Sequence, residues 1–116
     1  MNKNLKFRAW DGKRFHEWGY IDKGFGVVFV SPPAPHYVSQ QFTTKVDKMG
    51  KEIYKGDVVI LKGSKFIFEV IFEDSSYAIR CTKHSQHGLL FIDINFAEVE
   101  VIGNIFETPE FIEEKK

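Results

Sequence analysis

Leu5, Phe7 and Ala9 alternate with Lys6, Arg8 and Trp10, the period-two spacing of a half-buried strand. Asp11-Gly12 follows, a dipeptide that tolerates the positive φ angles of a tight hairpin. It predicts a return strand over residues 14–20, with Phe15 and Trp18 as its bulky members. Gly24 and Gly26 break the next stretch, and Val27-Val28-Phe29-Val30 is a short apolar run of strand-forming residues. Ser31-Pro32-Pro33-Ala34-Pro35 is a loop, because proline has no amide to donate to a ladder.

Residues 37–43 resume an extended spacing, and Asp47-Lys48-Met49-Gly50 reads as a turn with Gly50 free to take the left-handed position. Glu52-Ile53-Tyr54 is a short extended piece, and Lys55-Gly56-Asp57 turns the chain into Val58-Val59-Ile60-Leu61. After the polar turn at 62–65, Phe66, Phe68, Val70 and Phe72 share one face of a strand. Glu73-Asp74-Ser75-Ser76 then leads into another strand over 77–82. Three strands on two tight turns form a meander of the kind that begins small SH3-like barrels. Residues 89–94 and 99–105 complete it; the stretch 93–98 between them fits a strand or a helical turn equally well. Thr108-Pro109-Glu110 is a helix start: a capping hydroxyl, a proline where no donor is needed, and an acid at the dipole's positive end. The expectation is one mostly β domain over residues 1–116. It has an N-terminal β extension (1–40), an SH3-like barrel core (41–106) and a short C-terminal helix (107–116).

Composition narrows the class. The 116 residues are 43% hydrophobic, enough to bury a core, and 16% aromatic, a bias toward strands. Lys+Arg and Asp+Glu number 16 each, which argues against attachment to nucleic acid by bulk charge. The charges are unevenly spread: residues 1–65 carry a net of +6 and residues 66–116 a net of −6. Either the two halves neutralise each other within one fold, or they mark an interaction surface. One cysteine rules out an internal disulfide and suits a reducing cytoplasm. The opening Met1-Asn2-Lys3-Asn4 lacks the apolar stretch of a signal peptide, and no apolar run reaches membrane-spanning length, so no membrane association is expected.

Three ordered blocks carry a resemblance. They are Lys6-Phe7-Arg8-Ala9-Trp10-Asp11, then Gln41-Phe42-Thr43 with Asp47 through Val59, then Val101 through Glu110. Together they closely resemble the signatures of the YopX-like family of bacteriophages and Gram-positive prophages. The chain departs from the family pattern at Thr44-Lys45, where Gly-Leu is usual, and at Met49, where Asn is usual. The resemblance implies a phage or prophage origin, a mostly β fold and the cytoplasm of a bacterial host. It brings no catalytic residues with it.

Candidate chemistry is sparse. Cys81, His84 and His87 form the one metal-like spacing, which His36 or Asp93 would complete to four ligands. Against this, Cys81 falls in phase with Tyr77 and Ile79, as a buried core thiol would. Ser64, Ser75, Ser76 and Ser85 sit in turns without a nucleophile motif, and Gly24-Phe25-Gly26 lacks the third glycine of a phosphate loop. No catalytic residue and no cofactor is implied. In the shared block, Gly50 and Gly56 supply turn geometry, Ile53 and Val59 supply core, and Asp57 accepts amide hydrogen bonds. Alternatively, Tyr54 and Asp57 with a neighbouring loop form a ligand site.

Lys6, Arg8 and Trp10 share a strand face with Arg14 near by, a cation-plus-aromatic set of the type that holds single-stranded nucleic acid. The competing reading has Trp10 covering the sheet while the Lys and Arg stems lie around it. Three functions fit: a non-enzymatic accessory protein that contacts a host or phage macromolecule, a nucleic-acid-binding module, or a small enzyme with an unrecognised site. Open strand edges, and an apolar arm at Phe25, Val27 and Phe29 within a projecting segment 19–38, predict a homo-oligomer.

Overall fold

The strand and turn signals resolve into two five-stranded antiparallel sheets in a computed structural model that describes residues 5–82 and 88–111. In chain order the strands are β1 (Lys6–Trp10), β2 (Phe15–Asp22), β3 (Val27–Val30), β4 (Val38–Val46) and β5 (Glu52–Tyr54), followed by β6 (Asp57–Leu61), β7 (Ile67–Glu73), β8 (Ser76–Cys81), β9 (Gly88–Leu90) and β10 (Val99–Asn104). The first sheet has the order β3-β2-β1-β4-β5 and the second β10-β6-β7-β8-β9. The fold is mostly β, as the alternating pattern predicts.

Asp11 closes the first hairpin by accepting the amides of Lys13 and Arg14 on its Oδ1. β1 then carries a partner on each side: Arg8 stands opposite Glu17 of β2 and opposite Gln40 of β4. In the second half, Ile53, Val59, Phe68, Val70, Ile79, Cys81, Val99 and Val101 form the buried core, with Leu61, Phe66, Tyr77, Phe91, Ile94 and Phe96 packed against it. Side chains as fully buried as Val59 and Val70 stabilise the fold by roughly 1.5–3 kcal/mol each.

Three expectations are corrected. Among the described residues no closed barrel is found. β10 pairs with β6 on one side, while its other edge is met by a turn: the Lys48 amide donates to the Val99 carbonyl and the Val101 amide to Asp47. With that edge occupied, β9 has no route to close onto it. The boundary at residue 41 also moves, because β4 and β5 belong to the N-terminal sheet. Finally, the segment 19–38 does not project as an arm: β2 and β3 pair from Gly19↔Val30 to Asp22↔Val27, making β3 an edge strand.

The undecided stretch before β10 forms two short 3-10 turns, Phe91–Asp93 and Phe96–Glu98, the second capped by the Asn95 side chain on the Ala97 amide. Phe72 is exposed although it is in phase with buried Phe68 and Val70, and its ring instead meets Tyr77 edge-on. At the C-terminal end a 3-10 turn covers Pro109–Phe111. The rest of the expected helix, 112–116, lies outside the described residues.

Candidate functional site

The residues singled out in the three blocks converge at the joint between the sheets. Period-two alternation puts Lys6, Arg8 and Trp10 on one face of β1, and that face points toward the second sheet. The Arg8 Nη2 donates to Asp57 Oδ1 at 2.5 Å and its Nε to Gln40 Oε1 at 2.8 Å. The guanidinium lies over the rings of Phe15 and Tyr54, 4.2 and 4.5 Å from their centroids. Arg8 is 9% exposed and Asp57 1% exposed. A delocalised cation between two ring faces, with a carboxylate and an amide oxygen at its edge, is one of few ways to bury an arginine, since charge and ring faces replace much of the lost water.

Asp57 has a second task, accepting the Tyr54 amide on Oδ2 at 2.7 Å. Burial raises its pKa above the ordinary carboxylate value, opposed by the Arg8 charge and by the Tyr54 amide. Burial also pushes the Tyr54 hydroxyl upward, helped by the charge of Glu52. Lys6 pairs with Glu52 at 2.5 Å, and Trp10 stacks on Phe106 with centroids 5.4 Å apart and planes at 5°. Gly56 lies against this cluster with φ of +90°, and a Cβ there would stand 2.0 Å from the Gln40 amide nitrogen. The third block is tied in by Asp47, which accepts the amides of Met49 and Lys51 on Oδ1 and of Val101 on Oδ2. Burial acts to raise the Asp47 pKa, but those amides outweigh it and hold the carboxyl below its ordinary 3.8.

This arrangement is a latch. Among the described residues, no buried side-chain nitrogen or oxygen lacks a hydrogen-bond partner. Arg8 Nε and Nη2 and both Asp57 carboxylate oxygens find their partners within the chain. Of the candidate binding residues, Lys6, Arg8, Trp10, Tyr54 and Asp57 are brought together, and Arg14 is left apart and exposed on the first hairpin. Gln40 and Phe15 complete the cluster. Phe15 and Gln40 carried only strand signals, and the role of Gln40 depends on standing opposite Arg8 across a non-local strand pair.

The opposite face of the first sheet is different in kind. Phe7 and Trp18 stack with centroids 4.0 Å apart, Tyr20 and Phe29 meet edge-on at 5.3 Å, and His16 stacks on Tyr37 at 5.4 Å. By register, Ala9, Ser39, Gln41, Asp22 and Val27 share this face. Asp22 is the one formal charge among these strand positions. Phe29 is 57% exposed and Val27 46%. His16 also pairs through Nε2 with Asp11 Oδ2 at 2.7 Å, which secures the same hairpin turn.

The metal-like residues do not form a site that the structure describes. Cys81 is buried in the second sheet's core, while His84 and His87 lie outside the described residues. His36 sits edge-on against Tyr37 in the loop before β4, and Asp93 is exposed in a 3-10 turn of the other half. Among the described residues, no group of three His, Cys, Asp or Glu side chains is placed to hold a metal.

Comparison with known proteins gives a consistent result. A family model described as YopX protein matches residues 16–113. The SPbeta prophage-derived uncharacterized protein YopX of Bacillus subtilis (strain 168) is 25% identical over 132 residues, covering 95% of this chain and 97% of the relative. The crystal structure of protein yopX from Bacillus subtilis is similar with a TM-score of 0.58 and 25% identity, covering 97% of this chain and 99% of that one.

Proposed function

This chain belongs to the YopX protein family, and from that membership we propose that it is a prophage-encoded accessory protein that acts by binding another protein, without catalysis of its own. The observation that carries the reading is the outer face of the first sheet. Aromatic side chains that would normally fill a core are left half-exposed there, and such a patch on a small domain is an interaction surface. Its strand positions hold no lysine or arginine. A nucleic acid needs cations along its phosphates, so the chemistry favours a protein partner. Arg8, the cation of the strand face proposed for nucleic acid, is held between Asp57 and two rings.

Two finer statements go with this proposal. We read the second sheet as SH3-like; the meander β6–β9, the two 3-10 turns and the return of β10 beside β6 support it. We also assign the protein to the bacterial cytoplasm, a reading supported by the prophage origin of its Bacillus relative.

Affinity capture from a bacterial lysate tests the function. The wild-type chain is expected to retain a discrete protein that a Trp18→Ser, Phe29→Ser variant of unchanged circular dichroism does not, and the purified pair is expected to bind directly. Recovery of nucleic acid that nuclease removes, with no protein dependent on Trp18 and Phe29, would overturn the proposal.

A further inference from the structure

We propose that two copies of this chain join edge to edge through β3, antiparallel about a two-fold axis that places Val28 opposite Val28 of the partner. β3 pairs with β2 on one side, and no strand among the described residues pairs with the other. The pattern of its backbone groups follows from the hairpin. The Lys23 amide donates to the Gly26 carbonyl, so the pair 23/26 is hydrogen-bonded, and alternation makes 21/28 and 19/30 bonded and 22/27 and 20/29 not. The amides and carbonyls of Val27 and Phe29 therefore point to the open edge.

A register with Val28 opposite Val28 uses all of these groups. Val27 faces Phe29 of the partner and Phe29 faces its Val27, giving four hydrogen bonds. The side chains fit the same register: Val27 and Phe29 are exposed on the aromatic face, and each would cover the other across the joint. Charge points to a second copy as the occupant. From Gly24 to Tyr37 the chain has no Asp, Glu, Lys or Arg, so the edge offers no ionic complement to a charged peptide and no repulsion to itself. Natural edges are protected by lysines, bulges or internal prolines, and β3 has none within its span. Pro32, Pro33 and Pro35 stop the ladder just beyond it, and the two-fold arrangement leaves neither copy's β3 edge open. Phe25, 84% exposed in the β2–β3 turn, enlarges the contact. The short strand makes this a modest interface, with dissociation expected in the micromolar range.

The joint does not depend on the protein partner proposed above, and the two readings fail separately. Light scattering at tens of micromolar is expected to give twice the chain mass, falling to one on dilution, and capture of a partner is irrelevant to that reading. Amide exchange at Val27 and Phe29 is expected to slow as the dimer forms, a measurement that needs no substitution. Val28→Cys is expected to give a disulfide-linked dimer on mild oxidation, because a non-hydrogen-bonded pair brings the two Cα atoms to about 4.5 Å. Val30→Cys, which shares the face of Val28 but stands opposite Gly26, is expected to give none. A single chain mass at these concentrations overturns the proposal. So does an oligomer of any size in which Val27 and Phe29 exchange at the monomer rate and Val28→Cys does not cross-link.

Discussion

Arg8 and Asp57, 49 positions apart in the chain, meet at 2.5 Å across the joint between two sheets. The first comes from the N-terminal block of the family signature and the second from the central one. Trp10 against Phe106 links the first block to the third, and Asp47 with the Val101 amide links the second to the third. The three blocks that carry the resemblance are thus the parts that hold the two sheets together.

The two members of the buried pair are expected to be energetically coupled. Arg8→Met strands the Asp57 carboxylate in a dry site, at a cost of about 3–5 kcal/mol. Asp57→Asn with Arg8→Met is expected to lose clearly less than the two single changes summed. Urea unfolding of the four proteins gives the coupling, and additivity would contradict the latch.

Asp47 is expected to govern part of the acid limb of stability. Its folded pKa lies below the unfolded value of 3.8, so its contribution is complete above 3.8 and disappears as pH falls through the folded pKa. Asp47→Asn is expected to lose about 1–3 kcal/mol at neutral pH. Its stability is also expected to fall less steeply than wild type below pH 3.8. Equal slopes in acid urea titrations would assign the limb to other groups.

Gly56 and Gly12 both have positive φ, +90° and +104°, but only Gly56 has atoms where a Cβ would go. Gly12→Ala is expected to cost about 1–2 kcal/mol from backbone strain alone. Gly56→Ala adds displacement of Gln40, and with it the Arg8 Nε bond, so its melting temperature is expected to fall several degrees further. Matching thermal shifts would refute this.

The two tryptophans are expected to separate stability from binding. Trp10→Ala removes a ring stacked on Phe106 at the joint and is expected to cost about 3 kcal/mol. Trp18→Ser acts on the outer face, which has no second sheet over it. It is expected to lose less stability than Trp10→Ala while weakening partner capture. Unfolding curves and capture assays on the same preparations check both halves.

Much of the strand layout was legible along the chain. Alternation in β1, the Asp11-Gly12 turn, the proline break after β3 and the β6–β7–β8 meander each depend on a few consecutive residues, whose backbone preferences act locally. Gly50 and Gly56 do take the positive φ that their turns require. The blocks that identify the family were likewise readable in order.

Alternation could say that Arg8 lies opposite Phe7 across the sheet, but not which face would meet a second sheet. Hydrophobicity alone would turn Phe7 and Trp18 inward. The structure turns Arg8 inward instead, because Asp57, Gln40, Phe15 and Tyr54 together satisfy a guanidinium that water would otherwise have to solvate. That compensation draws on three stretches of chain besides the one that holds Arg8. In the same way the pairing of β4 with β1, and the turn at Asp47 and Lys48 that occupies the edge of β10, set the number of sheets and prevent a closed barrel. Local sequence fixes where a strand can form; which strands it joins depends on contacts between segments that only the folded chain brings within hydrogen-bonding distance.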